Sequence, residues 1–459
     1  MMNKGVWWSC DGNGNEKNIG SGDARPTPSS PITRRSLVGG ALTAALAAWA
    51  GRSALADVTM TGKQGEKANG DVIVTLFLRG GMDGLSLIVP HGDDDYYRPR
   101  PTLALAAPQK GSGSVTDIDG FFGLHPSAAA LVPHFKEGRM AAVQAIGSSD
   151  QTRSHFEAMA TMERGLKGGG PDYASGSASG WLARYLNATP PADPSPLRAV
   201  AFSNVMPDTL RGATDTSVLS TLAEYQLKAP ETEAGRKYVS SLHSLYAKGA
   251  KGDDAASVSG REIHRVLETL RRVDPANYKP ANNALYPETD LGGGLRQVAI
   301  LLKANVGLEA AFLDREGWDT HVGQGGVTGY LALGFKDVAA SLAAFAKDLG
   351  QEGLARVTVI VQTEFGRRVK ENSGLGTDHG RGSAMLLLGG SVNGGKVFGS
   401  WPGLALSTLE GPGDLRVTTD YRTVFAEVLS RRTPRGEQSI PSVFPGWEKV
   451  PALGVVRAA

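Results

Sequence analysis

The chain has 459 residues, of which 48 are basic and 46 acidic, and its formal net charge is +2. This near-neutral balance gives no electrostatic reason to expect nucleic acid or an anionic membrane surface as a partner. The hydrophobic content of 41% and the charged content of 20% exclude a chain that is disordered throughout.

The first feature in chain order is an export signal. TRRSLVGGALTAALAAWAGRSALA, at 33–56, combines an arginine pair, an apolar run and a small-residue ending. This pattern predicts that residues 1–56 are an N-terminal extension and twin-arginine signal peptide. The run at 37–49 is shorter than the roughly 20 residues that span a bilayer, so we expect no stable membrane anchor, although a retained anchor is the alternative. We predict a periplasmic or extracellular protein that meets the twin-arginine translocase during export.

The only cysteine, Cys10, precedes the arginine pair and would leave with the signal. A mature chain without cysteine can form no internal disulfide, iron–sulfur cluster or thiolate zinc site. Any metal would therefore be held by oxygen and imidazole ligands.

Short apolar runs alternate with helix-like segments through the rest of the chain. Predicted strands fall at 71–84, 140–147, 198–203, 306–314, 356–366 and 384–390, and predicted helices at 125–140, 154–166, 260–273, 293–305, 329–349 and 420–430. This alternation predicts an α/β fold, with a mostly parallel sheet covered by helices on both faces. We expect one domain over 57–459, with a helical excursion near 205–290.

Polar side chains follow several of these apolar runs, and ligands collect at the carboxyl ends of strands in such sheets. GWDTH at 317–321 and GTDHG at 376–380 each place an aspartate close to a histidine. Carboxylates and imidazoles are ligands for zinc, manganese, magnesium or calcium. Either pair alone is also explained by hydrogen bonds within a loop. Taken together, the predicted metal ligands are Asp83, Asp319, His321, Glu364, Asp378 and His379.

Ser154, in RSHFEAM, is predicted to precede a helix whose first N–H groups favour bound anions. His155 follows it at the opening of that helix. A metal beside the serine hydroxyl would make it a nucleophile. The alternative is that Ser154 only caps the helix.

Several motifs together resemble the exported bacterial family called domain of unknown function 1501. They are LFLRGGMDG, RSHFEAM, GWDTH, QTEFGR, GTDHG and TDYRTVFAEVL. That family is grouped by fold with alkaline phosphatases and sulfatases, so the resemblance implies an alkaline-phosphatase-like domain and the two-metal centre of its active relatives. It would place their first aspartate at Asp83, their nucleophile at Ser154, and their Asp-then-His pair at Asp319 and His321.

The resemblance leaves one assignment open. The literal Asp-His-Gly match is at 378–380, but the order of elements instead puts Glu364 and Phe365 in that place, with His379 as a later single histidine. On that second alignment Phe365 replaces a ligand, so at least one metal site would be weakened or absent.

The leading functional hypothesis is an exported metal-dependent hydrolase of phosphate or sulfate esters, with a small-molecule ester as substrate. Ser154 would attack, and Arg367 or Arg381 would neutralise charge on the transferred group. The alternative is a non-catalytic exported binding or assembly protein on the same fold. The resemblance also implies a second, co-exported protein as a partner.

Overall fold

The computed structural model describes residues 71–458 apart from 112, 169–178, 193, 215, 224, 226–228 and 248–253. The predicted signal peptide and Cys10 lie outside the described residues. The strands are β1 Val72–Leu78, β2 Ile88–Val89, β3 Thr116–Asp117, β4 Gly123–Leu124, β5 Met140–Gly147, β6 Ala199–Phe202, β7 Thr216–Leu219, β8 Ala310–Arg315, β9 Val357–Gln362, β10 Arg367–Glu371, β11 Thr377–His379, β12 Ser383–Leu388, β13 Val397–Phe398 and β14 Thr419–Asp420.

The α-helices account for most of the intervening chain. They are α1 Gly84–Leu87, α2 Val132–Lys136, α3 His155–Arg164, α4 Trp181–Ala188, α5 Glu233–Ala247, α6 Ala255–Val273, α7 Asp290–Ala304, α8 Tyr330–Leu354, α9 Tyr421–Arg432 and α10 Gly436–Val443. A 3₁₀ helix, Pro126–Leu131, precedes α2. Among the described residues, no helix combines the length and apolarity that crossing a bilayer requires.

The main sheet has the strand order β13-β5-β12-β9-β1-β8-β6-β7, and β14 also pairs with β5. Strand β1 lies at its centre and pairs in parallel with both β8 and β9. Strand β12 runs antiparallel to its two neighbours, β5 and β9. The fold class is therefore confirmed as α/β with a mostly parallel sheet, and β12 is an exception that the apolar runs did not reveal.

Alternate side chains of β1 are buried in two different cores. Val74 and Leu76 belong to the core that α7 and α8 cover, whereas Ile73 and Phe77 belong to the core that α4 and α9 cover. A strand buried on both faces needs a continuous apolar, β-branched sequence, which VIVTLFL provides. Each fully buried side chain contributes about 1.5–3 kcal/mol relative to exposure. This double burial fixes the strand ends that carry the polar residues.

Helices α5 and α6 fall within the segment that was predicted to be a helical excursion. A cavity of about 940 Å³ is lined by residues of this segment, and one of about 820 Å³ is lined by α6, by α7 and by the chain just before β6 and just after α7. Their lining includes none of the predicted site residues. The candidate site therefore lies elsewhere, at the ends of the central strands.

Candidate metal centre

The polar residues that converge come from the chain just beyond two strands, from a helix start and from a hairpin. Asp319 follows β8, Glu364 follows β9, and His155 is the first residue of α3. His379 ends β11, which pairs with β10 so that His379 lies opposite Arg367. The parallel arrangement of β1, β8 and β9 brings these positions to one edge of the sheet.

One group among the described residues has the geometry of a metal site. His155, Asp319 and His379 each offer one ligand atom, and these atoms all lie within 4.8 Å of one another. His155 Nε2 is 3.4 Å from Asp319 Oδ2, and His379 Nε2 is 3.0 Å from Asp319 Oδ1. Ligand atoms around a tetrahedral zinc ion are about 3.3 Å apart, given bonds of about 2.0–2.1 Å. The two distances to Asp319 are close to this spacing, so the cluster could hold one such ion.

Glu364 orients His155. Its Oε1 lies 2.7 Å from His155 Nδ1 and accepts a 2.8 Å hydrogen bond from the Gly80 N–H. Because a carboxylate cannot donate, the shared hydrogen belongs to Nδ1, and Nε2 faces the cluster. His155 Nε2 is buried and has no hydrogen-bond partner among the described residues. The Glu364 hydrogen bond raises the pKa of His155, so protons compete for this ring in the absence of metal.

His379 is held in a matching way by the backbone. Its Nδ1 lies 2.9 Å from the carbonyl oxygen of Arg153, so Nδ1 carries the hydrogen and Nε2 faces Asp319. Arg153 has a φ of 54°, in the left-handed region that non-glycine residues rarely adopt. Burial lowers the pKa of His379, which favours the neutral imidazole that binds metal.

Arg367 holds Asp319 in place. Its Nη2 donates to Asp319 Oδ1 at 2.6 Å and also contacts the carbonyl oxygens of Gly80 and Trp318, while Nε donates to the Gly81 carbonyl and Nη1 to the Thr377 carbonyl. Burial raises the pKa of Asp319, but its interactions with Arg367 and the neighbouring histidines outweigh this and lower the pKa to about 2. Arg367 was predicted to face the transferred group. The structure instead places its buried guanidinium among these acceptors, so we assign it the role of positioning Asp319.

His321 lies beside the cluster. Its Nε2 is 3.0 Å from Asp319 Oδ1 and 2.9 Å from His379 Nε2, and its Nδ1 is 3.3 Å from Asp378 Oδ1. Asp378 also accepts a hydrogen bond from Asn372 and lies near Arg368. His321 is therefore placed as a further ligand, and Asp378, predicted as a ligand itself, is placed to orient His321.

The chemistry of the donor set decides whether a cation fits here. Neutral imidazoles with hydrogen on Nδ1 have only a lone pair on Nε2, and carboxylate oxygens only accept. Lone pairs from His155, His379 and Asp319 therefore face one another, an arrangement that a shared proton or a cation stabilises. Carboxylate or carbonyl partners on the second ring nitrogen are typical of metal-bound histidines. The combination of imidazole nitrogen and carboxylate oxygen suits zinc or manganese.

Asp83 requires a correction. Its carboxylate is fully buried and forms an ion pair with Arg100, with Nη1 to Oδ2 at 2.6 Å and Nη2 to Oδ1 at 3.2 Å. Ser86 and Gln324 also donate to Oδ2, and the Leu85 N–H donates to Oδ1. A carboxylate with this many donors has no lone pair open to a metal, and the Arg100 guanidinium supplies the positive charge. We therefore revise Asp83 from predicted ligand to half of a buried ion pair.

Glu364 requires a similar revision. Its side chain is buried, with Oε1 committed to His155 and Gly80 and Oε2 lying 2.9 Å from the Thr363 hydroxyl. Phe365 stacks on His155, with ring centroids 4.9 Å apart, and lies 5.0 Å from His379. Phe365 therefore packs against the imidazole rings of both histidines and forms an apolar boundary of the cluster.

Ser154 is the residue before α3, and its side chain makes no capping hydrogen bond to that helix. The predicted alternative, a purely capping role, is therefore not what the structure shows.

Arg381 pairs with Glu410 and lines a cavity of about 10 Å³ with Arg153, Glu364 and Phe365. Its Nε has no partner among the described residues, so Arg381 keeps one donor near the cluster.

Most of the chain matches one known protein family. Residues 71–440 match the family described as "Protein of unknown function (DUF1501)". The chain belongs to this family. No curated protein matches it. A solved structure of a TAB5 alkaline phosphatase mutant with Mg bound in its M3 site is similar at 10% identity and a TM-score of 0.26, covering 84% of this chain and 100% of that one.

His155 is the site residue that the sequence reasoning did not propose as a ligand. It was recognised only as a polar residue opening a helix after a strand. The available signal was its position, because the start of a helix that follows a strand lies at the same edge of the sheet as the strand ends. Its neighbour Ser154 was instead predicted as the functional residue, because serine both caps helices and acts as a nucleophile.

Proposed function

We propose that this family member is an exported metal-dependent hydrolase of phosphate or sulfate esters. His155, Asp319 and His379 would hold one divalent ion, with His321 as a further ligand. The convergence of these side chains, with the unpartnered Nε2 of His155, is the observation that carries the proposal. A bound ion would supply Lewis acidity and would favour the deprotonated form of a nearby hydroxyl.

The chain's own groups support an ester as the substrate. Ser154 adjoins His155 in sequence, its hydroxyl is not used for capping, and the first N–H groups of α3 favour an anion. Ser154 Oγ would form a bond to phosphorus or sulfur as the ester bond to the alcohol breaks. The serine proton would pass through water to the leaving oxygen, and Arg381, which lines the small cavity with Glu364 and Phe365, would favour the anionic group by its positive charge.

A second candidate is a binding or assembly protein that holds metal without catalysis, together with a co-exported partner. One observation favours this candidate. The leading hypothesis assigned Asp83 to metal binding and Arg367 to substrate binding, but both side chains are engaged in ion pairs inside the protein. Only one metal position is then formed by the described side chains. Catalysis would depend on a single ion.

Metal content and turnover separate the two candidates. We expect purified protein to retain about one zinc or manganese ion per chain, and metal-loaded protein to hydrolyse aryl phosphate or aryl sulfate. Ser154→Ala should keep the metal but lose at least about 100-fold in kcat, the scale on which nucleophiles act. Ser149→Ala is the matched control, since its exposed hydroxyl is bonded to the Lys167 carbonyl. Folded protein that binds no zinc or manganese when the ion is added would refute the hydrolase, and unchanged turnover in Ser154→Ala would remove that residue from it.

A further inference from the structure

The metal cluster is flanked on two sides by exposed apolar side chains. Phe156 follows His155 and is 81% exposed, Val322 follows His321 and is 79% exposed, and Leu375 is 55% exposed. We call these three residues the apolar rim. Phenylalanine, valine and leucine are seldom left so exposed together, and patches of this kind mark sites that bind another molecule.

The rim is continuous with the site on both sides. On one side, the rings of His155 and His379 have centroids 4.4 Å apart, and Phe156 is the next residue of α3. On the other side, the rings of His379 and His321 have centroids 4.6 Å apart. The Gly323 N–H donates to the Gly374 carbonyl, which brings Val322 beside the loop that carries Leu375.

The open surface, rather than an enclosed pocket, is where a substrate would bind. Asp319 has a side chain 46% exposed, and the cavity that borders the cluster, about 10 Å³, holds no more than about one water molecule. An ester placed on the metal would therefore extend its alcohol group across the surface. Phe156 and Val322, which adjoin cluster residues in the chain, are exposed apolar side chains that such a group could contact.

We propose that the ester substrate carries an apolar alcohol, alkyl or aryl, and that the apolar rim binds it. This inference rests on the proposed function for the position of the ester group. Phe156 is the main specificity-determining residue, because it is the largest and most exposed member of the rim. A buried apolar contact of this size changes relative affinity by about 10-fold or more.

Binding of phosphonates, which cannot be hydrolysed as esters, tests the rim without requiring turnover. We expect zinc-loaded protein to bind hexylphosphonate at least about 10-fold more tightly than methylphosphonate by calorimetry. Phe156→Ser should reduce this ratio several-fold, and Phe156→Leu should restore most of it. Equal affinities for the two phosphonates, or an unchanged ratio in Phe156→Ser, would overturn the proposal.

The matched control is Leu285→Ser. Leu285 is 86% exposed, and its neighbour Tyr286 bonds Asp348 of α8. The site lies near the other end of α8, where the Tyr330 hydroxyl lies beside Gly317, two residues before Asp319. Asp348 is 18 positions from Tyr330 and so about 27 Å away from it at 1.5 Å per residue. We expect the ratio of the affinities for hexylphosphonate and methylphosphonate to be unchanged in this variant.

Two outcomes separate the rim from the proposed function. A preference for hexylphosphonate with no turnover of any ester would refute the hydrolase alone, and turnover with no preference would refute the rim alone. Adsorption to lipid vesicles with no preference among soluble phosphonates would assign the rim to a membrane surface and overturn the proposal.

Discussion

At the scale of single residues, the candidate site depends on the candidate ligands and equally on the groups that form hydrogen bonds to those ligands. Glu364 fixes the hydrogen of His155 on Nδ1, the Arg153 carbonyl does the same for His379, and Arg367 fixes Asp319. Such partners set ring orientation and ligand basicity. Residues that bind no metal themselves therefore decide how well metal binds.

Glu364→Gln should weaken zinc binding by about 10- to 100-fold while the fold is retained. The amide is as large as the carboxylate, but it offers His155 a weaker, uncharged acceptor. Competition against a chromogenic chelator measures the change. Glu371→Gln is the control, because Glu371 is also a carboxylate of the β10–β11 region but accepts from Thr102 and Leu103. Equal zinc affinity in Glu364→Gln and the wild type would show that Glu364 does not support the site.

The ion pair of Asp83 and Arg100 gives a prediction on stability. Removing one partner leaves a buried charge uncompensated, so Asp83→Asn should lower the free energy of unfolding by about 3–5 kcal/mol. Arg100→Met combined with Asp83→Asn should cost less than Asp83→Asn alone, since no buried charge is then left. Urea unfolding measures each variant. If the double variant were the least stable, the uncompensated charge would not be the cause.

The same pair predicts a pH dependence. Burial raises the pKa of Asp83, but Arg100, Ser86 and Gln324 outweigh it and hold the pKa below the ordinary value. A depressed pKa in the folded state means that this stabilisation is present above pH about 3.9 and is lost as pH falls through the folded pKa. The stability difference between wild type and Asp83→Asn should therefore shrink as pH falls below about 4. Unfolding curves at neutral and at strongly acidic pH test this.

The sequence led to most of the site's residue types but not to their roles. Asp319, His321 and His379 were predicted to lie together, and the structure brings them together. Asp83 was assigned from its place after the first strand and from the family resemblance, and no pattern in the sequence shows that Arg100 bonds to it from 17 positions along the chain. Such pairings depend on tertiary contacts that spacing does not encode.

At the scale of elements, the turn after β1 sets the distance between the strand ends. Gly80 has a φ of 121°, and a Cβ placed on it would lie 2.6 Å from the Asp319 backbone nitrogen. Only glycine permits this approach without displacing the neighbouring chain. The turn therefore holds the segment that carries Asp319 against the end of β1.

Gly80→Ala should both destabilise the protein and weaken metal binding, because the methyl group pushes Asp319 away from the two imidazoles. Gly120→Ala is the control, because it introduces backbone strain without a steric clash. Gly120 has a φ of 86°, but a Cβ added to it would meet nothing within 4 Å. We expect Gly120→Ala to cost about 1–2 kcal/mol of stability with zinc affinity unchanged. Equal zinc affinity in both variants would contradict the proposed role of the turn.

The sequence patterns predict most of the main strands, but not every short strand and not the direction of each strand. Each of the six predicted strands is present, because continuous apolar runs such as VIVTLFL favour strands buried on both faces. Strand β7 was not predicted, since TSVL is short and has little apolar character. The antiparallel direction of β12 depends on the path of the β10–β11 hairpin before it, which the apolar content of β12 does not reveal.

At the scale of the whole molecule, metal binding should stabilise the fold. A ligand that binds only the folded state adds RT ln(1 + [L]/Kd), about 2.7 kcal/mol when its concentration is about 100 times Kd. Zinc should therefore raise Tm by about 4 °C, and a chelator should reverse the rise. His379→Ala should abolish the shift, whereas His91→Ala, a histidine that pairs with Asp117, should keep it. An identical shift in both variants would place the metal elsewhere.

The spread of the ligands along the chain has a consequence for assembly. More than 200 residues separate His155, at the start of α3, from His379, on the β10–β11 hairpin, and these two elements meet only in the folded chain. A nascent or unfolded chain therefore has no chelating centre, and the ion can be acquired only once folding is complete. If the site holds a metal ion as proposed, the compartment in which the chain folds would supply it, so the cellular place of folding, and not only ligand chemistry, would determine which element the protein carries.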